Sequence, residues 1–184
     1  MIININSFSQ IKPLKSNTLI VLDIDDTIIS FTNIDKKWWT NVYNTYLSYY
    51  KDDDKAYKKS EILWTKHILK DKPKLLDEYN FINFLEKISK NNCELIFLTA
   101  RNKNISDLTM DQLSKCGLNI NPSKVFFSRN KGNELKNIVE QNYSNVKDII
   151  FVDDLEENLV NVQLEFNTSK HSKYNLKLYK INHN

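Results

Sequence analysis

Cysteine and glycine are almost missing from this chain, with two of each in 184 residues. Cys93 and Cys116 lack any metal-ligand spacing, so free thiols in a reducing, cytoplasmic setting are the simple expectation. With glycine this scarce, left-handed turn positions fall partly to asparagine, and the richness in Asn and Lys reads as background composition. Long apolar runs are missing as well. No stretch approaches the roughly 20 residues of a membrane span, and Met1 to Asn17 is polar, without the continuous apolar centre of a signal peptide. Nor does one sign of charge dominate. Twenty-six Lys and Arg against 23 Asp and Glu leave +3, too weak to argue for a nucleic-acid or membrane partner.

What is present is an ordinary globular composition, 41% hydrophobic and 27% charged, in a length that suits one domain with a small insertion. The chain is organised around Leu19-Ile20-Val21-Leu22-Asp23-Ile24-Asp25-Asp26-Thr27. Its four apolar residues predict a strand buried on both faces. It breaks at once into three carboxylates, which need a cation or protons to be tolerated at the rim of a sheet. Side chains alternate along an extended backbone, so Asp23 and Asp25 start on one side and Asp26 on the other. Two such carboxylates suit a nucleophile and a proton donor sharing one hard metal ion.

Residues 1–18 read as a loosely ordered lead-in, with Pro13 before the first strand. Ile34, Trp38, Val42 and Tyr46 fall four apart, with Trp39, Tyr43 and Tyr50 on adjoining faces, and predict a helix. A charged break at 51–55 precedes a second helical pattern through Ile62, Trp64 and Ile68, ending before Pro73. Residues 31–72 therefore read as a helical insertion over the strand ends, and 1–30 with 73–184 as the α/β core. In that core, helices are predicted over 75–88, 106–116, after Lys131-Gly132 and through Leu159 and Phe166. Strands are predicted at 94–98, 125–127, 149–152 and 176–181. Buried strands alternating with helices argue for a parallel sheet covered on both faces. Ligands sit beyond the carboxyl ends of such strands, and Asp23, Thr99 and Asp153 all fall there.

Asp23-x-Asp25-x-Thr27, Thr99 after a second strand, Lys131 ahead of a helix and Asp153-Asp154 after a later strand resemble, in order, the four motifs of the haloacid dehalogenase superfamily. The resemblance spans roughly residues 19–160 and implies a Rossmann-like three-layer α/β/α sheet with a small helical cap. It implies a Mg²⁺-dependent phosphatase in which Asp23 attacks phosphorus to give an aspartyl-phosphate and Asp25 serves as acid and then base. By the same resemblance Mg²⁺ is held by Asp23, a backbone carbonyl at Asp25, and Asp153, while Thr99 and Lys131 hold phosphate oxygens and Thr27 bonds backbone in the turn. By the same resemblance, an acid at position 25 favours a phosphatase or phosphomutase over carbon–halogen cleavage or ion pumping, with hydrolysis the expected reaction.

Several residues keep two readings. Asp154 either joins the metal, directly or through water, or caps the next helix. Lys124 is the alternative to Lys131 as phosphate ligand. Arg101 either touches a charged group of the substrate or forms a structural salt bridge. Glu157 and Asn158 either orient the metal shell or form a solvated first turn, and the aromatic stripe of 34–50 is either bundle core or a stacking platform. The expected partner is a small phosphorylated metabolite or nucleotide. A nucleic-acid phosphate end and a catalytically idle binding module are the competing functions, and no sequence signature fixes the oligomeric state.

Overall fold

The computed structural model describes residues 1–12, 14–167 and 173–183, so Pro13 lies outside the described residues. Its centre is β2 (Thr18–Leu22), in which all five residues are buried. β5 (Glu94–Thr99) pairs with one edge of β2 and β7 (Asp148–Asp153) with the other, both in parallel. β6 (Val125–Phe127) extends the sheet beyond β5. β8 (Asn175–Ile181) and β1 (Ile2–Ile5) extend it beyond β7, giving the order β1-β8-β7-β2-β5-β6. Every pairing in this six-stranded sheet is parallel.

Alternation along β2 produces three layers. Ile20 and Leu22 join a core with Phe81, Phe84 and Ile88 of α3 (Glu78–Lys90) and Leu113 of α4 (Ser106–Lys115). Leu19 and Val21 face the opposite way. They pack with Leu135, Ile138 and Val139 of α5 (Lys131–Asn142) and with Leu159, Val162 and Phe166 of α6 (Glu156–Phe166). A strand with no polar face requires cover on both sides. The fold is therefore a three-layer α/β arrangement around a parallel sheet.

Three expectations need correction. Residues 1–18 are not a loose lead-in. Ile2 to Ile5 form an edge strand whose partner, Leu178 to Ile181, lies at the far end of the chain, a pairing that no local pattern announces. Leu75 is not helical either. Lys74–Leu75 (β4) pairs antiparallel with Ile29–Ser30 (β3), and the helix waits until Glu78, after Asp77 at φ +47. The break in the helical segment is shorter than 51–55. α1 (Lys36–Tyr50) stops at Lys51, with φ +55, and α2 (Asp53–Ile68) resumes once the Asp52 side chain accepts a hydrogen bond from the Lys55 N–H. The two-strand ribbon thus stands at the foot of the helical pair, where the chain leaves the sheet and returns to it.

Candidate active site at the carboxyl ends of the strands

The chain runs outward from β2 through β5 to β6, then returns to the other side of β2 as β7. Strand order reverses between β2 and β7, so their carboxyl ends diverge and open a crevice. Asp23 follows β2 directly, and its N–H donates to the Val152 carbonyl at 3.0 Å, which fixes its backbone against β7. Asp153 is the last residue of β7 and is fully buried. Lys131, the first residue of α5, bridges them. Its Nζ donates to Asp23 Oδ1 at 2.5 Å and to Asp153 Oδ2 at 2.8 Å, and it is 1% exposed. A lysine so enclosed is tolerable only because both acceptors are anionic.

Asp153 is held from three directions. Besides Lys131, the Leu155 N–H donates to Oδ1 at 2.8 Å, and Asn158 Nδ2 reaches both oxygens at 3.0 and 3.1 Å. Thr27 Oγ1 donates to Asp23 Oδ2 at 3.3 Å and accepts from the Asp154 N–H at 3.1 Å. Thr27 therefore ties the first acidic turn to the last, where only a backbone role was expected. Carboxylate oxygens of Asp23, Asp153 and Asp154 lie within 4.8 Å of one another, an all-oxygen donor set fitted to a hard divalent cation.

So many acids out of water perturb one another. Burial pushes the Asp23 carboxyl well above the usual carboxylate range. Lys131 opposes that shift, and Asp153, Asp154 and Asp25 add to it. Asp154 rises to about 6, chiefly by burial and then by Asp153, with Lys36 and Lys131 pulling the other way. Asp26 rises to about 7 through burial and its neighbours Asp154, Asp25 and Asp35. Burial alone would lower Lys131, but Asp153 and Asp23 outweigh it and the net shift is upward. The carboxyl shifts share one main origin, charge without enough solvent, whereas two anionic partners raise Lys131.

Asp25 is engaged differently. Arg101 Nε donates to its Oδ2 at 2.8 Å and Nη2 to its Oδ1 at 2.7 Å, a two-pronged ion pair. Arg101 Nη1 donates to Thr109 Oγ1 and Gln112 Oε1 on α4, at 3.1 and 2.8 Å. Gln112 continues the chain, since its Nε2 donates to the Ile68 carbonyl at 2.9 Å and so reaches the end of α2. Four of the five N–H groups of Arg101 are thus committed within the protein. Thr99 ends β5 and its hydroxyl accepts from the Arg101 N–H at 3.1 Å.

These side chains open into one cavity of about 590 Å³, lined by Asp23, Asp25, Asp26, Thr99, Arg101, Lys131 and Asp154 at its floor. Asp26 shares it because the strand stops at Leu22 and the backbone turns at Asp26, with φ +55, so alternation no longer governs that residue. Lys124 is elsewhere. It pairs with Glu94 at the start of β5 and with Tyr143, at the opposite end of the strand from Thr99. Sequence reasoning missed Gln112 and Thr109 as anchors of Arg101. It also missed Asn161, whose Oδ1 accepts from the Gly132 N–H at 2.6 Å, and His183, whose Nε2 donates to the Thr27 carbonyl at 2.8 Å. No spacing rule links such residues to the acidic turn.

A parallel α/β protein with a lysine-bridged carboxylate centre at the reversal of strand order is the class that fold and site define together. The chain belongs to a family described as a protein of unknown function (DUF2608), whose model matches residues 4–128. That stretch holds Asp23, Asp25, Thr99 and Arg101 and ends before Lys131 and Asp153. Among solved structures the chain is similar to the class C acid phosphatase from Bacillus anthracis, with 15% identity and a TM-score of 0.49 over 91% of this chain and 68% of that one. No curated protein matches. Among the described residues, no helix is long and apolar enough to cross a membrane.

Proposed function

We propose that this protein is a divalent-cation-dependent phosphomonoester phosphatase of the haloacid dehalogenase type, acting on a small phosphorylated substrate through an aspartyl-phosphate. The observation that carries the reading is the Asp23–Lys131–Asp153 bridge, with Asp25 beside it in the same cavity. An Asp23 oxygen attacks phosphorus as the ester oxygen departs on the far side, and the phosphoryl group passes to the carboxylate. Water then attacks phosphorus and regenerates Asp23. Lys131 and the Thr99 hydroxyl receive the phosphate oxygens, with Lys131 turning part of its donor capacity from Asp23 to the incoming anion. Asp25 delivers a proton to the departing oxygen and later takes one from water. Each of its oxygens accepts once from Arg101 and keeps a second lone pair, so the guanidinium can stay in place while one oxygen exchanges a proton with the departing oxygen or with water. Arg101 aims Asp25 and is not a phosphate ligand.

Asp23, Asp153 and Asp154, with the backbone at Asp25, would hold the cation, and hard oxygen donors suit Mg²⁺. When bound, it would offset charge on the phosphate oxygens. We further assign residues 31–72 as a cap over the core formed by 1–30 and 73–184. The helical pair meets the rim through Lys36 to Asp154 at 3.4 Å, Tyr57 Oη to the Ala100 carbonyl at 3.3 Å, and Asn102 to Glu61 at 3.3 Å.

The test is a panel of phosphate esters assayed with Mg²⁺, with chelator and with Asp23→Asn. Turnover is expected only in the unmodified protein with the cation, together with a trifluoroberyllate adduct on Asp23. Chelator-insensitive hydrolysis, or full activity in Asp23→Asn, would remove the mechanism.

A further inference from the structure

Six of the fifteen residues of α1 are aromatic, and none of the fifteen is buried. In a helix hairpin that merely packed on itself, large rings would form the sealed interior. Here α2 buries only Ala56, Ser60 and Ile68, which are not aromatic. The half-buried rings of Trp39, Tyr43, Tyr57 and Trp64, with Phe31 from the foot of the pair, instead line the cavity whose floor holds Asp23 and Asp25. Trp39 meets Tyr57 at 5.3 Å and 69° and Trp64 at 6.4 Å and 90°, and Trp64 meets Phe31 at 6.5 Å and 87°. Edge contacts of this kind lock the rings at angles to one another instead of closing them into a stack.

The aromatic wall is tied to the chemistry. The Tyr57 hydroxyl donates to the carbonyl of Ala100, between Thr99 and Arg101, and the Arg101 guanidinium lies 5.2 Å from the Trp64 ring centre. On the other side Arg129, which follows β6, lies 3.4 Å from the centre of the Tyr57 ring and also lines the cavity. A guanidinium over an aromatic face is a flat, cationic surface that accepts a further π system. Phosphate needs none of these rings, and a bare sugar phosphate would leave them against water.

We infer that the substrate carries a planar aromatic body, held between the rings of α1 and α2 while its phosphate reaches Asp23. The inference rests on the phosphatase reading for the phosphate end alone. Its chemical class is a phosphate monoester of an aromatic ring system, either a nucleoside monophosphate or an aryl phosphate.

The Mg²⁺-loaded full chain is to be given adenosine 5′-monophosphate, tyrosine phosphate and ribose 5-phosphate. At least one of the two ring-bearing esters should exceed ribose 5-phosphate by about tenfold or more in kcat/KM, the gap lying in KM, as expected for one stacked ring. Which of the two leads tells a fused heterocycle from a phenol. Trp39→Leu should collapse the ratio and Trp39→Phe should restore it, with melting temperatures checking that both variants are folded. Equal kcat/KM for the ringless ester, or a ratio untouched by Trp39→Leu, overturns the inference while leaving the phosphatase in place. Tryptophan fluorescence separates the two failures. All three tryptophans lie in the helical pair, so adenosine 5′-monophosphate should quench their emission where ribose 5-phosphate does not, even if no ester turns over. Equal response to both overturns the inference.

Discussion

Lys131→Met removes one ammonium from the middle of the site and keeps most of the side-chain volume. In the parent, that ammonium makes two charge-assisted hydrogen bonds, to Asp23 and Asp153, from a side chain 1% exposed. The variant leaves two buried carboxylates facing each other with no counter-charge. Breaking a buried pair in this way costs roughly 3–5 kcal/mol. For a chain of this length each kcal/mol moves the melting temperature by about 2–4 °C, so the expected loss is roughly 6–20 °C. The assay is thermal unfolding near neutral pH in chelator. Two further arms isolate the cause. Mg²⁺ should stabilise the variant more than the parent, since the ion supplies the positive charge that the lysine no longer does. Acidification should also narrow the gap. Burial already raises Asp23 above the usual carboxylate range, and protonating it removes one of the two facing charges that the variant leaves uncompensated. A variant melting within about 2 °C of the parent in chelator near pH 7 would refute the picture of two anions depending on one cation.

Gly132→Ala should destabilise the protein by about 1–3 kcal/mol, although alanine ordinarily improves a helix. The added Cβ would sit 2.5 Å from the Asn161 carbonyl oxygen and 2.7 Å from its Oδ1, and a melting curve reads the sign. Arg101→Lys should lower turnover strongly and melting temperature by several degrees, because an ammonium cannot span Asp25, Thr109 and Gln112 together. A variant with parental kcat would show that Asp25 is not aimed by this residue. In chelator, stability should fall as pH climbs from about 4 to about 7. Asp26 and Asp154 keep their protons to about 7 and about 6 in the fold and release them near 4 when unfolded, so over that window the folded state binds more protons. Mg²⁺ should flatten the slope.

The strand tips were legible because each is a short apolar run ending in a polar residue. Leu19 to Leu22 before Asp23, Leu95 to Leu98 before Thr99, and Ile149 to Val152 before Asp153 each identify a buried strand and its carboxyl end without reference to the rest of the chain. The helices of the inserted segment were legible for a similar reason, a repeat of four in Ile34, Trp38, Val42 and Tyr46. The ribbon of Ile29–Ser30 with Lys74–Leu75 was not, because two-residue strands carry no period.

The sequence by itself determined the α/β alternation and which residues stand at the carboxyl rim, since both follow from local periodicity and from where apolar runs stop. Only the tertiary structure decided what those residues do to one another. Asp25 and Arg101 are 76 positions apart, Lys131 and Asp23 are 108, and Ile2 pairs with Leu178, so no local preference chooses these partners. The same holds for the rings of Trp39 and Tyr43, which read as bundle core or stacking platform until the packing of α1 and α2 set them along the cavity. A period fixes which face of an element is apolar, and the space left by the other elements fixes what that face meets.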